Sequence, residues 1–180
     1  MIAEDDWAAE RLAQDREVAE RVTVEQALSP WWTRVAAAAG TEVALHMSTG
    51  HTYRGTVREA GPDWCVLANG RSTILVNLSH VTVMEGSQKV LTPTPLTRRL
   101  GPGPTYRSMA SAGAVVHITT TTGVLSGFIT EVLKDAITVR SAETPDARSM
   151  EPVVTVPFRA VVAASTTDTT AMDSWADTYS

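Results

Sequence analysis

The chain is short of the residues that would cross-link or anchor it. It has a single cysteine, Cys65, in 180 residues, which excludes an internal disulfide and a cysteine-rich zinc site. No apolar run approaches the ~18 residues that a membrane-spanning helix needs. The N-terminus, MIAEDDW, lacks the basic and apolar regions of a signal peptide, so the expectation is a cytoplasmic protein with no membrane partner. Basic residues are outnumbered, 15 against 20 acids, for a formal charge of −5. That balance argues against binding nucleic acid by bulk charge, which needs clustered Lys and Arg.

Catalytic patterns are missing too. No glycine-rich loop follows a strand into a helix to cradle a phosphate, and there is no serine-hydrolase elbow. Cys65 lacks the histidine or basic neighbour that would hold a thiolate and reads as a small core residue. His46, His51, His80 and His117 have no carboxylate or further histidine at ligand spacing. Glu59 and Glu131 recur at equivalent places, which invites an acid/base reading; inherited strand-end structure explains them better. The expectation is a non-enzymatic protein with no cofactor and no metal.

What the chain does have is a repeat. GTEVALHMSTG from Gly40 matches GAVVHITTTTG from Gly113 at an offset of 73. YRGTVRE from Tyr53 matches LSGFITE from Leu125 at an offset of 72, setting Gly55 on Gly127 and Val57 on Ile129. DWCVL from Asp63 matches DAITV from Asp135, and VNLSHV from Val76 matches VPFRAV from Val156 at an offset of 80. The growth in offset places a longer loop at SAETPDARSMEP. Period-2 alternation makes these segments strands. Val43, Leu45 and Met47 share one face, as do Val116 and Ile118. Gly50 and Gly123 are expected to supply positive φ in tight hairpin turns. Gly55 and Gly127, inside strands, mark a bend or a close backbone approach.

A helix precedes each copy. Ser29-Pro30-Trp31-Trp32 is expected to start one, with Ser29 as N-cap and Pro30 in the first helical position, ending at Gly40. Gly103-Pro104 to Gly113 has the same plan. The stretch EDDWAAERLAQDREVAERV is rich in Ala, Glu and Arg and reads as an acidic helix. The expected organisation is an acidic helical segment over 1–28, a first unit over 29–86, a basic Pro-rich connector over 87–102, a second unit over 103–165 and an acidic, unstructured tail over 166–180.

A short helix followed by five bent antiparallel strands, with glycine in the second, resembles the Sm-like fold. The resemblance rests on VALHMSTGHTYRGTVREAGPDWCVL with ILVNLSHVTVM, repeated as VVHITTTTGVLSGFITEVLKDAITV with VTVPFRAVV. Over residues 23–165 the chain also resembles a family of tandem Sm-like proteins from high-GC bacteria. The fold implied is mainly β with helices: two tandem Sm-like five-stranded bent antiparallel barrels, each preceded by a short α-helix, plus the N-terminal acidic helix. Sm-like proteins commonly assemble through strand-edge pairing, and many bind RNA. The RNA-contact residues of that fold are not matched here, since Cys65 and Asn77-Leu78-Ser79-His80 stand near their places.

The residues with a binding reading are few. If Cys65 and Leu67 face the core, Trp64 and Val66 face away from it, and Trp64 could anchor a partner or pack under a helix or against the other unit. Trp175 and Tyr179, four apart in the acidic tail, could form a short protein-binding motif. Arg98, Arg99, Tyr106 and Arg107 form the one basic-aromatic patch and carry the alternative, a nucleic-acid-binding regulator. The leading expectation is a binding protein that assembles with itself or with another protein through strand edges.

Overall fold

The computed structural model describes residues 29–86, 101–142 and 153–166, together with Arg11 and Gln14. The expected 1–28 helix therefore lies outside the described residues except for Arg11 and Gln14, both helical. The acidic tail beyond Thr166, the connector from 87 to 100 and the loop over 143–152 also lie outside them.

The fold is mainly β. Helix α1 (Trp32–Ala37) leads into β1 (Glu42–Met47), β2 (Thr52–Ala60), β3 (Trp64–Asn69), β4 (Ser72–Asn77), the 3-10 turn η1 (Leu78–His80) and β5 (Val81–Glu85). Helix α2 (Gly103–Ser111) leads into β6 (Val116–Thr120), β7 (Val124–Val132), β8 (Ala136–Ser141), β9 (Val153–Pro157), η2 (Phe158–Ala160) and β10 (Val161–Thr166). All ten strands form one antiparallel sheet in the order β5-β1-β2-β3-β4-β10-β6-β7-β8-β9. No helix among the described residues is long and apolar enough to cross a membrane.

Strand pairing repeats at the offsets seen in the sequence. Val43 faces Gly55 and Val116 faces Gly127. Cys65 faces Val76 and Ile137 faces Val156. Even the irregularities recur: the β2–β3 register slips between Val57 and Glu59, and the β7–β8 register slips between Ile129 and Glu131. A bulge at the same place in each half adds local twist to its longest strand.

The in-strand glycines act by close approach. A Cβ on Gly55 would stand 2.7 Å from the Ala68 carbonyl oxygen, closer than such atoms can pack. On Gly127 it would collide with the Arg140 carbonyl oxygen and crowd the Val139 side chain. Gly50 has φ +84 and Gly40 has φ +77, as a hairpin turn and a helix C-terminus ask. Gly123 departs from expectation, for it has no positive φ. There Thr120 closes the turn instead: its hydroxyl donates to the Gly123 carbonyl at 2.9 Å and accepts from the Thr122 amide at 3.3 Å.

The α1 start also needs correction. Trp31, not Ser29, is the N-cap residue, and no side chain caps the helix. The Thr33 amide donates to the Pro30 carbonyl at 3.0 Å, and the Thr33 hydroxyl donates to the same oxygen at 2.6 Å. Residues 30–33 thus close a turn that leads into the helix at Trp32. In α2 the plan holds better, with Pro104 in the first turn and Gly113 at φ +62 beyond the end.

Two core clusters result. The first joins Trp32 and Val35 of α1 to Val43, Leu45, Val57, Cys65 and Leu67. The second joins Tyr106 and Met109 of α2 to Val116, Ile118, Ile137 and Val139. Tyr106 stacks on Phe158 with ring centroids 4.9 Å apart.

Candidate interaction edges

The middle of the sheet is a joint between the two halves. On β10, Ala163, Ala164 and Ser165 pair with Val76, Leu75 and Ile74 of β4, while the other side of β10 pairs with β6. The strand serves both cores: Val162 and Ala163 pack in the first cluster, Val161 and Ala164 in the second. In return, Trp64, Val66 and Leu75 leave the first half and pack in the second cluster. Period-2 alternation forces this division. Once Cys65 and Leu67 point inward, their neighbours must point out, and the second half covers them.

Polar contacts fasten the joint at its rims. The Asn77 side-chain amide donates to the carbonyls of Val161 (3.0 Å) and Phe158 (3.4 Å), and its oxygen accepts from the Ser79 amide at 3.0 Å. One side chain thus holds η1 in shape and grips η2. The Tyr53 hydroxyl donates to Thr119 at 3.2 Å, and the Thr73 amide donates to the Thr166 hydroxyl at 3.2 Å. His80 Nε2 lies 3.3 Å from the Arg159 carbonyl, a distance at which a ring N–H donates to it. Burial raises the Tyr53 hydroxyl above its ordinary pKa, with the Thr119 hydrogen bond working against that rise.

The sheet ends look different. Positions on β9 equivalent to Ile74 and Leu75 are Val154 and Thr155. Ile74 and Leu75 are 5% and 2% exposed, whereas Val154 is 44% exposed and Val153 beside it is 58%. On β5, Val83 occupies the place that Ala163 holds on β10, and its exposure is 53% against 2%. Among the described residues, β5 and β9 each pair on one side only. Among the described residues no strand pairs with their outer backbone groups, the side on which a further strand adds to a sheet.

The residues singled out in the sequence fall as follows. Trp64 is 4% exposed. It does face away from the first core, but the second half covers it, so it binds within the chain and offers no open surface. Tyr106 is 2% exposed in the second core, and burial raises its hydroxyl above the ordinary value; it cannot stack a base. Arg107, next to it on α2, is exposed. Arg98, Arg99, Trp175 and Tyr179 lie outside the described residues. Cys65 is buried and its thiol is pushed up to about 12 by desolvation. No group of three or more metal-ligating side chains occurs among the described residues. The edge valines Val83, Val153 and Val154 were not singled out in the sequence, where a continuous apolar run fits a strand covered on both faces as well as an open one.

A comparison with protein-family models finds no match, and none of the curated proteins matches the chain.

Proposed function

We propose that this chain is a non-enzymatic binding and assembly protein, built of two Sm-like units and acting through its strand edges. The observation that carries the reading is the contrast between the joint and the ends. At β4·β10 an edge is filled by a strand, with Ile74, Leu75, Ala163 and Ala164 buried. At β9 and β5 the positions equivalent to Ile74 and Ala163 carry the exposed Val154 and Val83. A long open edge bearing apolar side chains is a template for strand addition, with backbone hydrogen bonds supplying affinity and alternate side chains supplying selectivity. The repeated register and the two bend glycines support the Sm-like reading of each unit.

Light scattering over a concentration series tests this. The expected result is a mass that climbs above the 19.3 kDa of one chain and returns to it in Val154→Lys, which sets a charge on the β9 edge. A single-chain mass at every concentration overturns assembly of the chain with itself. Titration with labelled single-stranded RNA and duplex DNA separates the rival reading: tight binding that falls steeply with salt would favour the basic segment around Arg98, Arg99 and Arg107.

A further inference from the structure

The two edges are not equally open, and the internal joint shows why. By the shared register, a β9 strand from a second copy docking on β5 as β4 docks on β10 would set Val156, Thr155 and Val154 opposite Val83, Met84 and Glu85. The second copy is the occupant the geometry defines, because β4·β10 is the same pair of strands within one chain. Yet one set of side chains changes between the filled joint and the free end. Where the joint carries Ser165, Thr119 and Ser126, all neutral, the β5 end carries Glu85, His46 and Arg54. The equivalence follows from matching pairs: Ser165 faces His117 as Glu85 faces Ala44, Ala163 faces Thr119 as Val83 faces His46, and His117 faces Ser126 as Ala44 faces Arg54.

These three residues form a cluster. Glu85 Oε1 lies 2.9 Å from His46 Nε2, and Glu85 Oε2 lies 3.8 Å from Arg54 Nη1. The Thr52 hydroxyl holds the other ring nitrogen of His46 at 3.1 Å. Glu42, exposed two residues before Ala44, adds a second carboxylate to the same strand face. The Glu85 side chain is 57% exposed, so its carboxylate is hydrated. A strand placed opposite it would strip that water and set a valine against the charge.

We infer that the Glu85–His46–Arg54 cluster is an electrostatic guard on the β5 edge, opposing docking of a second copy's β9 strand. The inference rests on the strand-edge reading above. The guard limits how tightly the β9 edge of one copy joins the β5 edge of another: a charged side chain on an edge strand opposes indiscriminate pairing. Neutralising Glu85 removes the charge on the edge strand itself, where the internal joint has Ser165, and leaves Arg54 one strand further in on β2.

Sedimentation velocity on the full chain tests it, comparing the parent, Glu85→Ala and the double variant Glu85→Ala/Val154→Lys. Self-association at least about tenfold tighter in Glu85→Ala is expected, from loss of a desolvated charge, with the gain removed in the double variant. Association in Glu85→Ala alone, with a monomeric parent, overturns self-assembly of the parent chain and supports the guard. If the parent associates and Glu85→Ala is no tighter, the guard is overturned while the edge reading stands. If the gain survives Val154→Lys, β9 is not the docking strand and the inference fails. If no variant associates, the guard and self-assembly fail together. An unchanged melting curve for Glu85→Ala shows that the fold is intact.

Discussion

Replacing Trp64 by alanine should weaken the half of the protein to which Trp64 does not belong. The residue sits on β3 of the first half, but its indole is packed with Val66, Leu75, Tyr106 and the second-half core. With 4% of its surface exposed, truncation removes nearly a whole buried aromatic side chain and leaves a cavity at the joint. Losses for such changes run to about 3–5 kcal/mol, a large share of the roughly 5–15 kcal/mol that holds a domain folded. Trp64→Phe, which keeps most of the apolar contact, should lose much less. Urea unfolding followed by far-UV circular dichroism gives the magnitude, and amide hydrogen exchange gives the place. Protection should fall in β4, β10 and β6, the strands that meet at the joint. A loss below about 1 kcal/mol, well short of the range for buried aromatics, would refute the packing argument. So would loss of protection confined to β1 and β2.

Two further outcomes follow from the same geometry. Gly55→Ala and Gly127→Ala should each destabilise by about 1–3 kcal/mol, the range for inserting a methyl where nothing can yield, with Gly127 the worse because its Cβ would come nearer to Arg140 and Val139 than that of Gly55 to Ala68 and Leu67. Gly123→Ala, with open space and no positive φ, should be neutral or stabilise by up to about 1 kcal/mol; thermal melts that reverse this order would refute the reading. Cys65 gives a pH dependence. Its thiol ionises near 9.0 when free and at about 12 when buried, so above pH 9 the unfolded chain loses a proton that the folded chain keeps. Stability is therefore whole below that point and declines as pH rises toward 12, and Cys65→Val should flatten the early part of the decline in urea midpoints measured against pH.

Local signals account for much of what the sequence foretold. The alternation in VALHM and VVHIT, the turn at Gly50 and the in-strand Gly55 and Gly127 are all short-range features, and the strands formed where they point. The face of Trp64 was equally legible, because alternation sets it once Cys65 and Leu67 are inside. What covers that face was not. Solvent, a partner and the second half all fit the same local pattern, and the pairing of Val76 with Ala163 joins residues too far apart for any periodicity to report. Where Trp31 replaced Ser29 as the N-cap, the pattern of residue types was present but the Thr33–Pro30 turn used the backbone first. The exposure of Val153 and Val154 was not legible, because composition marks a strand as apolar without saying whether a neighbour lies beyond it.

The position of β10 has a consequence in time. Among the described residues it is the last strand in chain order, yet it lies in the middle of the sheet. A ribosome delivers β1 to β4 first, and the joint-facing side chains of Trp64, Val66 and Leu75 then wait for the second half, while the β4 edge waits for residues 161–166. Closure of the first half thus depends on the end of the second. A nascent chain halted before Val161 carries an unfilled β4 edge, and an unpaired strand edge is a feature that drives aggregation during synthesis.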